Sequence, residues 1–194
     1  MGPPISNFMK WLGNLVNINV EASPILGGIA VSVLMGMILT LPISSAALGV
    51  SMGLTGLAAG AATIGCCCQM VGFAVASYRE NKFGGFIAQG IGTSMLQVPN
   101  ILRRPLIWLP PIISSAILGP IASAVLHMVS TPIGSGMGSA GFVGQIAAYG
   151  AMIETGNVIQ SGTDSDYSHA FCSAGSCDID FLRRNEKSRM DQRR

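Results

Sequence analysis

The chain has 194 residues, of which only 10% are charged and 49% are hydrophobic, and its formal net charge is +2. An ordinary soluble domain carries about 25% charged residues, so this composition argues against a soluble fold. The net charge is small and the basic residues form no single stripe, which excludes nucleic acid as a partner. Three of the five cysteines are consecutive, at 66–68. Neighbouring residues of a helix point in different directions, so these thiols predict apolar packing rather than a metal site.

The charges divide the chain into two parts. A sparsely charged body, residues 1–160, is followed by a tail, residues 161–194, that holds six basic and six acidic side chains. Twelve charges exclude a spanning helix, and the few large apolar residues are too sparse to order the segment. The sequence therefore predicts a membrane-embedded domain and a poorly ordered polar tail outside the membrane.

The body begins with a moderately amphipathic stretch, residues 3–20, which predicts an interfacial helix with Trp11 at the level of the lipid headgroups. The alternative is the end of a spanning helix. Residues 22–78 then contain no charged residue or histidine, and this length accommodates two spans. We expect a first span over 22–41, a break at Pro42 and a second span over about 54–78, followed by a charged loop, 78–82.

The segment 84–100 is uncharged, rich in glycine and too short for a full span. Four polar residues recur at helical spacing along one of its sides: Gln89, Thr93, Ser94 and Gln97. Basic residues flank the segment on both sides: Arg79 and Lys82 before it, Arg103 and Arg104 after it. Both basic loops should prefer the cytoplasm, so we expect a re-entrant hairpin that enters and leaves the membrane on one side.

A further span is predicted over residues 112–129, which include Pro120 and His127. The next stretch, 130–145, is too rich in glycine and hydroxyl groups for a lipid-facing helix. Its glycines would make backbone amides accessible, as a binding loop at a helix N-terminus requires. A helix over about 142–158 is expected to complete the body, so the fold class is an all-α polytopic membrane bundle with re-entrant or broken helices.

No enzyme constellation is visible in the body. Glu154 is the one carboxylate between residue 80 and the tail, so no acid/base pair can form there, and a single histidine is a poor metal site. We therefore predict no catalytic residue, metal or cofactor. Neutral amides and hydroxyls in apolar surroundings suit an uncharged solute such as a sugar, and hydrogen bonds between helices are the alternative role for each. The candidate substrate-binding residues are Gln89, Thr93, Ser94, Asn100, His127, Ser135, Ser139, Gln145 and Glu154; the wider set of polar residues adds Ser44, Ser45, Gln69 and Gln97.

Several long strings of the body resemble one family of bacterial membrane proteins: ILTLPISSAALG (38–49), GLAAGAATIGC (56–66), GGFIAQGIGTSMLQVPNI (84–101), WLPPIISSAILGPI (108–121) and STPIGSGMGSAGFVGQ (130–145). The family comprises IIC-type subunits of the phosphoenolpyruvate-dependent sugar phosphotransferase system. The resemblance implies a multi-pass permease component of the bacterial inner (cell) membrane that moves a sugar or related small solute. The expected partners are the lipid bilayer, cytoplasmic phosphotransferase subunits that supply phosphate from a phosphohistidine, and further copies of the chain in a homo-oligomer.

The sequence departs from the family pattern in two ways. Family members are about twice as long, so the chain resembles a C-terminal half. They also continue with another apolar helix where this chain has its polar tail, and a shifted reading frame with permitted codon choices would restore such a helix. Two hypotheses follow: a sugar-translocating permease component, or a truncated, frameshifted fragment without transport activity, at most a small membrane interaction protein.

Overall fold

The computed structural model describes residues 3–155, so the predictions for the tail, for the domain boundary at 160 and for the frameshift lie outside the described residues. Within this range every regular element is helical. The α-helices are α1 (Pro3–Ala22), α2 (Pro24–Thr40), α3 (Ser45–Met52), α4 (Gly56–Ile87), α5 (Val98–Arg103), α6 (Leu109–Pro120), α7 (Gly134–Met137) and α8 (Val143–Thr155). Two π-helical turns, Ala88–Gly92 and Ile121–Val125, and three 3₁₀ turns, Ser94–Gln97, Pro105–Trp108 and Ala140–Phe142, lie between them.

The break after the first apolar helix lies where the sequence predicts it. Leu41 precedes Pro42 and is extended (φ −73°, ψ 157°), because the proline ring disfavours helical backbone at the residue before it. The chain restarts at Ser44, whose hydroxyl accepts a hydrogen bond from the amide of Ala47 and caps α3. α3 ends after eight residues at Gly53, which adopts the left-handed conformation (φ 63°) common beyond helix ends.

Two helical segments are long and apolar enough to cross a membrane, Gly56–Arg79 and Pro105–Val125, and α2 is a shorter apolar helix of 17 residues. The first matches the predicted span over 54–78. The prediction of a span over 112–129 is wrong in its bounds, because the helical segment begins at Pro105 and leaves helical geometry after Val125. Proline suits a first turn, where no amide is needed, whereas Pro120 removes an internal hydrogen bond and a π-helical turn follows it.

The contacts between helices define their directions. α2 and α4 run parallel, because Gly65 lies against Ser32 and Gly36 lies against Gln69. α6 runs antiparallel to α2: the hydroxyl of Ser32 donates to the carbonyl of Ser115 (2.8 Å), and Pro24, at the start of α2, accepts from Ser123. Small residues let these backbones approach closely, which is the packing expected of helices in lipid.

Helix α1 contacts the ends of α2, α3 and α4 through its C-terminal half. Gly13 lies against Met52, and the Asn17 amide bonds the carbonyl of Gly53 (3.1 Å) and the amide of Thr55 (3.4 Å). Trp11 is 59% exposed and stacks on a neighbouring phenylalanine, with 6.1 Å between ring centroids. This position at the end of the bundle, with exposed aromatic rings, supports the interfacial helix expected from the sequence.

Candidate functional site

The chain reverses direction at Lys82. This residue has φ 50° and ψ −143°, and after it the backbone returns along α4. Gly85 lies against Ser77, and the rings of Tyr78 and Phe86 meet edge to face with centroids 6.3 Å apart. The predicted charged loop over 78–82 is therefore wrong in form: the helix continues to Asn81, and Lys82 alone leaves helical geometry and makes the reversal.

Beyond the reversal the chain forms a broken helical hairpin, which we call the first hairpin (residues 83–103). Its descending arm passes Ala74 of α4 at Gly90, and its backbone becomes extended at Thr93 (φ −156°, ψ 141°). The Thr93 hydroxyl accepts from the amide of Met95 (3.2 Å) and starts the next helical turn. The four polar residues predicted on one side of a helix therefore do not share a continuous helix.

Both ends of the first hairpin lie at the same end of the bundle. Lys82 follows the main part of α4, which runs parallel to α2, whereas Arg104 immediately precedes the antiparallel segment Pro105–Val125. The first hairpin therefore leaves from and returns to one end, which we call the basic end because it carries Arg79, Lys82, Arg103 and Arg104. This arrangement is the geometry expected of a re-entrant segment.

A second hairpin (residues 130–155) enters from the opposite end. Ser130 pairs with Gly56 at the start of α4, and Gly138 lies against Cys66 near the middle of that helix. Gly144, at the start of α8, donates its amide to the carbonyl of Gly138 (3.0 Å). α8 then returns, because its Met152 packs in one cluster with partly buried Leu57 of α4.

The glycines of the second hairpin serve close packing rather than anion binding. The amide of Gly134 donates to the Thr131 hydroxyl (3.2 Å), that of Gly136 to the carbonyl of Ile133 (3.3 Å), and that of Gly144 within the hairpin as above. A Cβ at Gly136 would collide with the backbone of α3. The expectation of accessible amides is therefore wrong for these three glycines, because hydrogen bonds within the hairpin occupy their amides.

The two hairpins meet in the interior of the bundle. The hydroxyl of Ser139, at the turn of the second hairpin, donates to the carbonyl of Gly90 in the first (2.7 Å), and Ser139 is 1% exposed. Gly90 lies against Ala74 and the neighbouring Gly138 lies against Cys66. These α4 residues are eight positions apart, or about 12 Å along the helix, so both turns reach the central part of α4.

Three amide side chains form a chain of hydrogen bonds inside the first hairpin. Asn100 donates to the Oε1 atom of Gln97 (2.8 Å), and the Nε2 atom of Gln97 donates to the Oε1 atom of Gln89 (2.9 Å). Gln89 and Gln97 are buried, whereas Asn100 is exposed. Gln97 therefore links the two arms of the first hairpin, but it is absent from the nine candidate substrate-binding residues. Its position among polar residues in an apolar segment could have identified it from the sequence.

The remaining candidates fall into two groups. Ser135 is buried and donates to the carbonyl of Pro132 (2.7 Å), and Gln145 satisfies its amide at the carbonyl of Gly138 (3.2 Å) when its nitrogen faces that oxygen. Both lie near the meeting point of the hairpins. His127 and Glu154 are exposed near the end where α4 begins, so the structure does not bring them to this meeting point.

Four side chains have buried polar atoms without a hydrogen-bond partner within residues 3–155. Trp108 precedes α6 and Ser130 lies beside the start of α4, whereas the other two lie in the interior. They are the amide of Gln69, in the middle of α4, and the hydroxyl of Ser94, at the turn of the first hairpin. Among these residues no group of three or more metal-ligating side chains occurs. The described interior therefore offers neutral hydrogen-bond donors and acceptors, which suit a polar uncharged ligand.

Comparison with known protein families gives one match, to the family described as "Phosphotransferase system, EIIC", over residues 1–163. The chain belongs to this family. The match confirms the resemblance found in the sequence. No curated protein and no solved structure matches the chain. EIIC proteins are membrane subunits, and membership implies a sugar as substrate and phosphotransferase proteins as partners.

Proposed function

We propose that this EIIC chain is a sugar-translocating component of a phosphotransferase system, and that the sugar passes the meeting point of its two hairpins. The Ser139–Gly90 hydrogen bond carries this proposal, since it joins segments that enter the bundle from opposite ends. Transporters commonly bind substrate near the bilayer midplane, where discontinuous helices meet. Irregular backbone is tolerated at that depth when protein or a water-filled cavity covers it.

The polar residues around the meeting point have the chemistry that a neutral sugar needs. Gln89, Gln97 and Asn100 supply amides on the first hairpin, and Ser135 and Ser139 supply hydroxyls on the second. A sugar hydroxyl both donates and accepts hydrogen bonds, and these side chains together do the same. The helices provide apolar surroundings, in which a few hydrogen bonds are enough to fix the orientation of a bound sugar.

The distribution of charge suggests which way the protein faces. Arg79, Lys82, Arg103 and Arg104 lie at the basic end, with one acidic residue, Glu80, between the first two in the sequence. The opposite end carries Glu21 and Glu154, and one basic residue, Lys10, lies on α1. Basic residues next to spans favour the cytoplasmic side. The basic end would then face the cytoplasm, where the phosphotransferase partners approach and where the first hairpin opens.

Uptake in whole cells tests this proposal. The chain is expressed in a bacterial host that retains its general phosphotransferase proteins but lacks its own sugar permeases, and uptake of labelled neutral hexoses, hexitols and disaccharides is measured. We expect uptake of at least one sugar, and a reduction by Ser139→Ala. The matched control is Thr63→Val, because Thr63 is equally buried but bonds within its own helix, to Ala59. An absence of uptake for every sugar contradicts the proposal and is the result expected of a non-functional fragment.

A further inference from the structure

The interior of α4 contains an amide that the protein leaves unsatisfied. Gln69 is 0% exposed, and neither its Nε2 nor its Oε1 atom has a hydrogen-bond partner within the described residues. Buried polar groups in proteins are nearly always paired, because an unpaired one loses its bonds to water without replacement. An unpaired amide with both a donor and an acceptor therefore indicates a site for a polar ligand.

The surroundings of Gln69 are shaped to hold its side chain in place. Its stem passes Gly36 of the parallel helix α2, and a Cβ added at Gly36 would lie 2.8 Å from the Cγ atom of Gln69. Because Gly36 has no side chain, the stem of Gln69 can occupy this space. Thr63, another polar residue of α4, differs from Gln69. Its hydroxyl donates to the carbonyl of Ala59 one turn earlier (2.8 Å), so it is satisfied without a ligand.

The first hairpin brings a second unpaired group to the same region. Its descending arm lies against Ser77 at Gly85 and against Ala74 at Gly90, so it moves along α4 toward Gln69. The 3₁₀ turn that Ser94 begins contacts both α2 and α4. Ser94 is 0% exposed, and its hydroxyl has no partner among residues 3–155.

We infer that Gln69, with Ser94, forms a subsite on the α2–α4 side of the first hairpin that binds hydroxyl groups of a neutral polyol. The amide receives a hydrogen bond at Oε1 and donates one from Nε2, and the serine hydroxyl completes the contact. This inference rests on the proposed function and deepens it. It assigns the contacts by which the protein would distinguish a sugar from an analogue that lacks one hydroxyl group.

The inference makes opposite predictions for the empty and the loaded protein. Replacing Gln69 by methionine, which has a similar unbranched shape, removes an unsatisfied polar group and should stabilise the empty protein. Removing one unpaired polar group raises the melting temperature of a protein of this size by at least about 2 °C. The same change removes hydrogen bonds to the sugar and should weaken its binding about tenfold.

The test uses the full chain, purified in detergent, and measures melting temperature and binding for each of a panel of neutral hexoses, hexitols and disaccharides, together with their monodeoxy analogues. We expect Gln69→Met to raise the melting temperature of the empty protein, to weaken binding of the preferred sugar, and to remove discrimination against one deoxy position. Gln69→Leu provides a second apolar variant, and Thr63→Val is the matched control, which should keep sugar binding and discrimination unchanged.

The outcomes separate the inference from the proposal on which it rests. Equal sugar binding by the unmodified chain and both Gln69 variants overturns the subsite but leaves the permease proposal intact. A fall in the melting temperature, or a failure of both variants to fold, shows that the amide holds the helices together and also overturns the subsite. If no sugar binds the unmodified chain, the proposed function fails and the subsite fails with it.

Discussion

Close packing of α2 on α4 should make Gly65 intolerant of any side chain. A Cβ added there would collide with the carbonyl and the Cα atom of Ser32, which are backbone atoms that cannot rotate away. Overpacking of this kind costs about 1–3 kcal/mol. The gain in helix propensity from glycine to alanine offsets about 0.5–1 kcal/mol of that cost. We therefore expect Gly65→Ala to lower the free energy of unfolding by up to about 2.5 kcal/mol, after these two terms are combined.

Gly84, on the returning arm beyond the reversal at Lys82, provides a control, because nothing lies within 4 Å of a Cβ added there. Gly84→Ala should gain the propensity term alone and stabilise the protein by up to about 1 kcal/mol. The assay is thermal unfolding of both variants in one detergent, where 1 kcal/mol corresponds to about 2–4 °C. Equal melting temperatures for Gly65→Ala and Gly84→Ala would refute the parallel, close packing of α2 and α4.

Three further predictions follow from the two hairpins. Ser139→Ala leaves the buried carbonyl of Gly90 without its partner and should lower the melting temperature by about 2–4 °C; an unchanged value would show that the hairpins do not meet there. Gln97→Leu breaks both bonds of the amide chain and should increase protease cutting within residues 83–103, whereas unchanged cutting would contradict its joining role. Single cysteines at Lys82 and Arg103, in a chain whose native cysteines are replaced, should react with an impermeant reagent from the same face, and labelling from opposite faces would mean that the first hairpin spans the membrane.

The apolar helices of this chain were predictable because their physical causes are local. Proline disfavours helix at the preceding residue, so the break at Leu41 could be located from Pro42 alone. The charge-free run likewise indicated the apolar helix at Gly56–Arg79, which is long enough to cross a membrane. The length and polar side of segment 84–100 indicated a hairpin for the same reason: they exclude a simple lipid-facing helix.

Other features depend on distant contacts and were not predictable from local pattern. The reversal at Lys82 depends on a positive φ at this residue. The residue types around Lys82 do not predict that conformation. Gly136 and Gly138 of the second hairpin fit closely against α3 and α4, and composition alone does not reveal these contacts. The span predicted over 112–129 includes His127, whereas the helical segment ends at Val125 and leaves this histidine outside it.

The meeting of two hairpins from opposite ends is the central claim, and a double-cysteine variant tests it most directly. Gly90→Cys is combined with Ser139→Cys in a chain without its native cysteines, because the hydrogen bond between these residues places their backbones close together. A Cβ at position 90 faces Ala74 rather than Ser139, so a short thiol-specific cross-linker joins the two cysteines instead of a direct disulfide. The control pairs Gly90→Cys with Tyr149→Cys, which lies ten residues beyond Ser139 on the returning helix. After native membrane vesicles are treated with the cross-linker, we expect mass spectrometry to find a joined peptide for the first pair and none for the control. Free thiols in both pairs would contradict the claim.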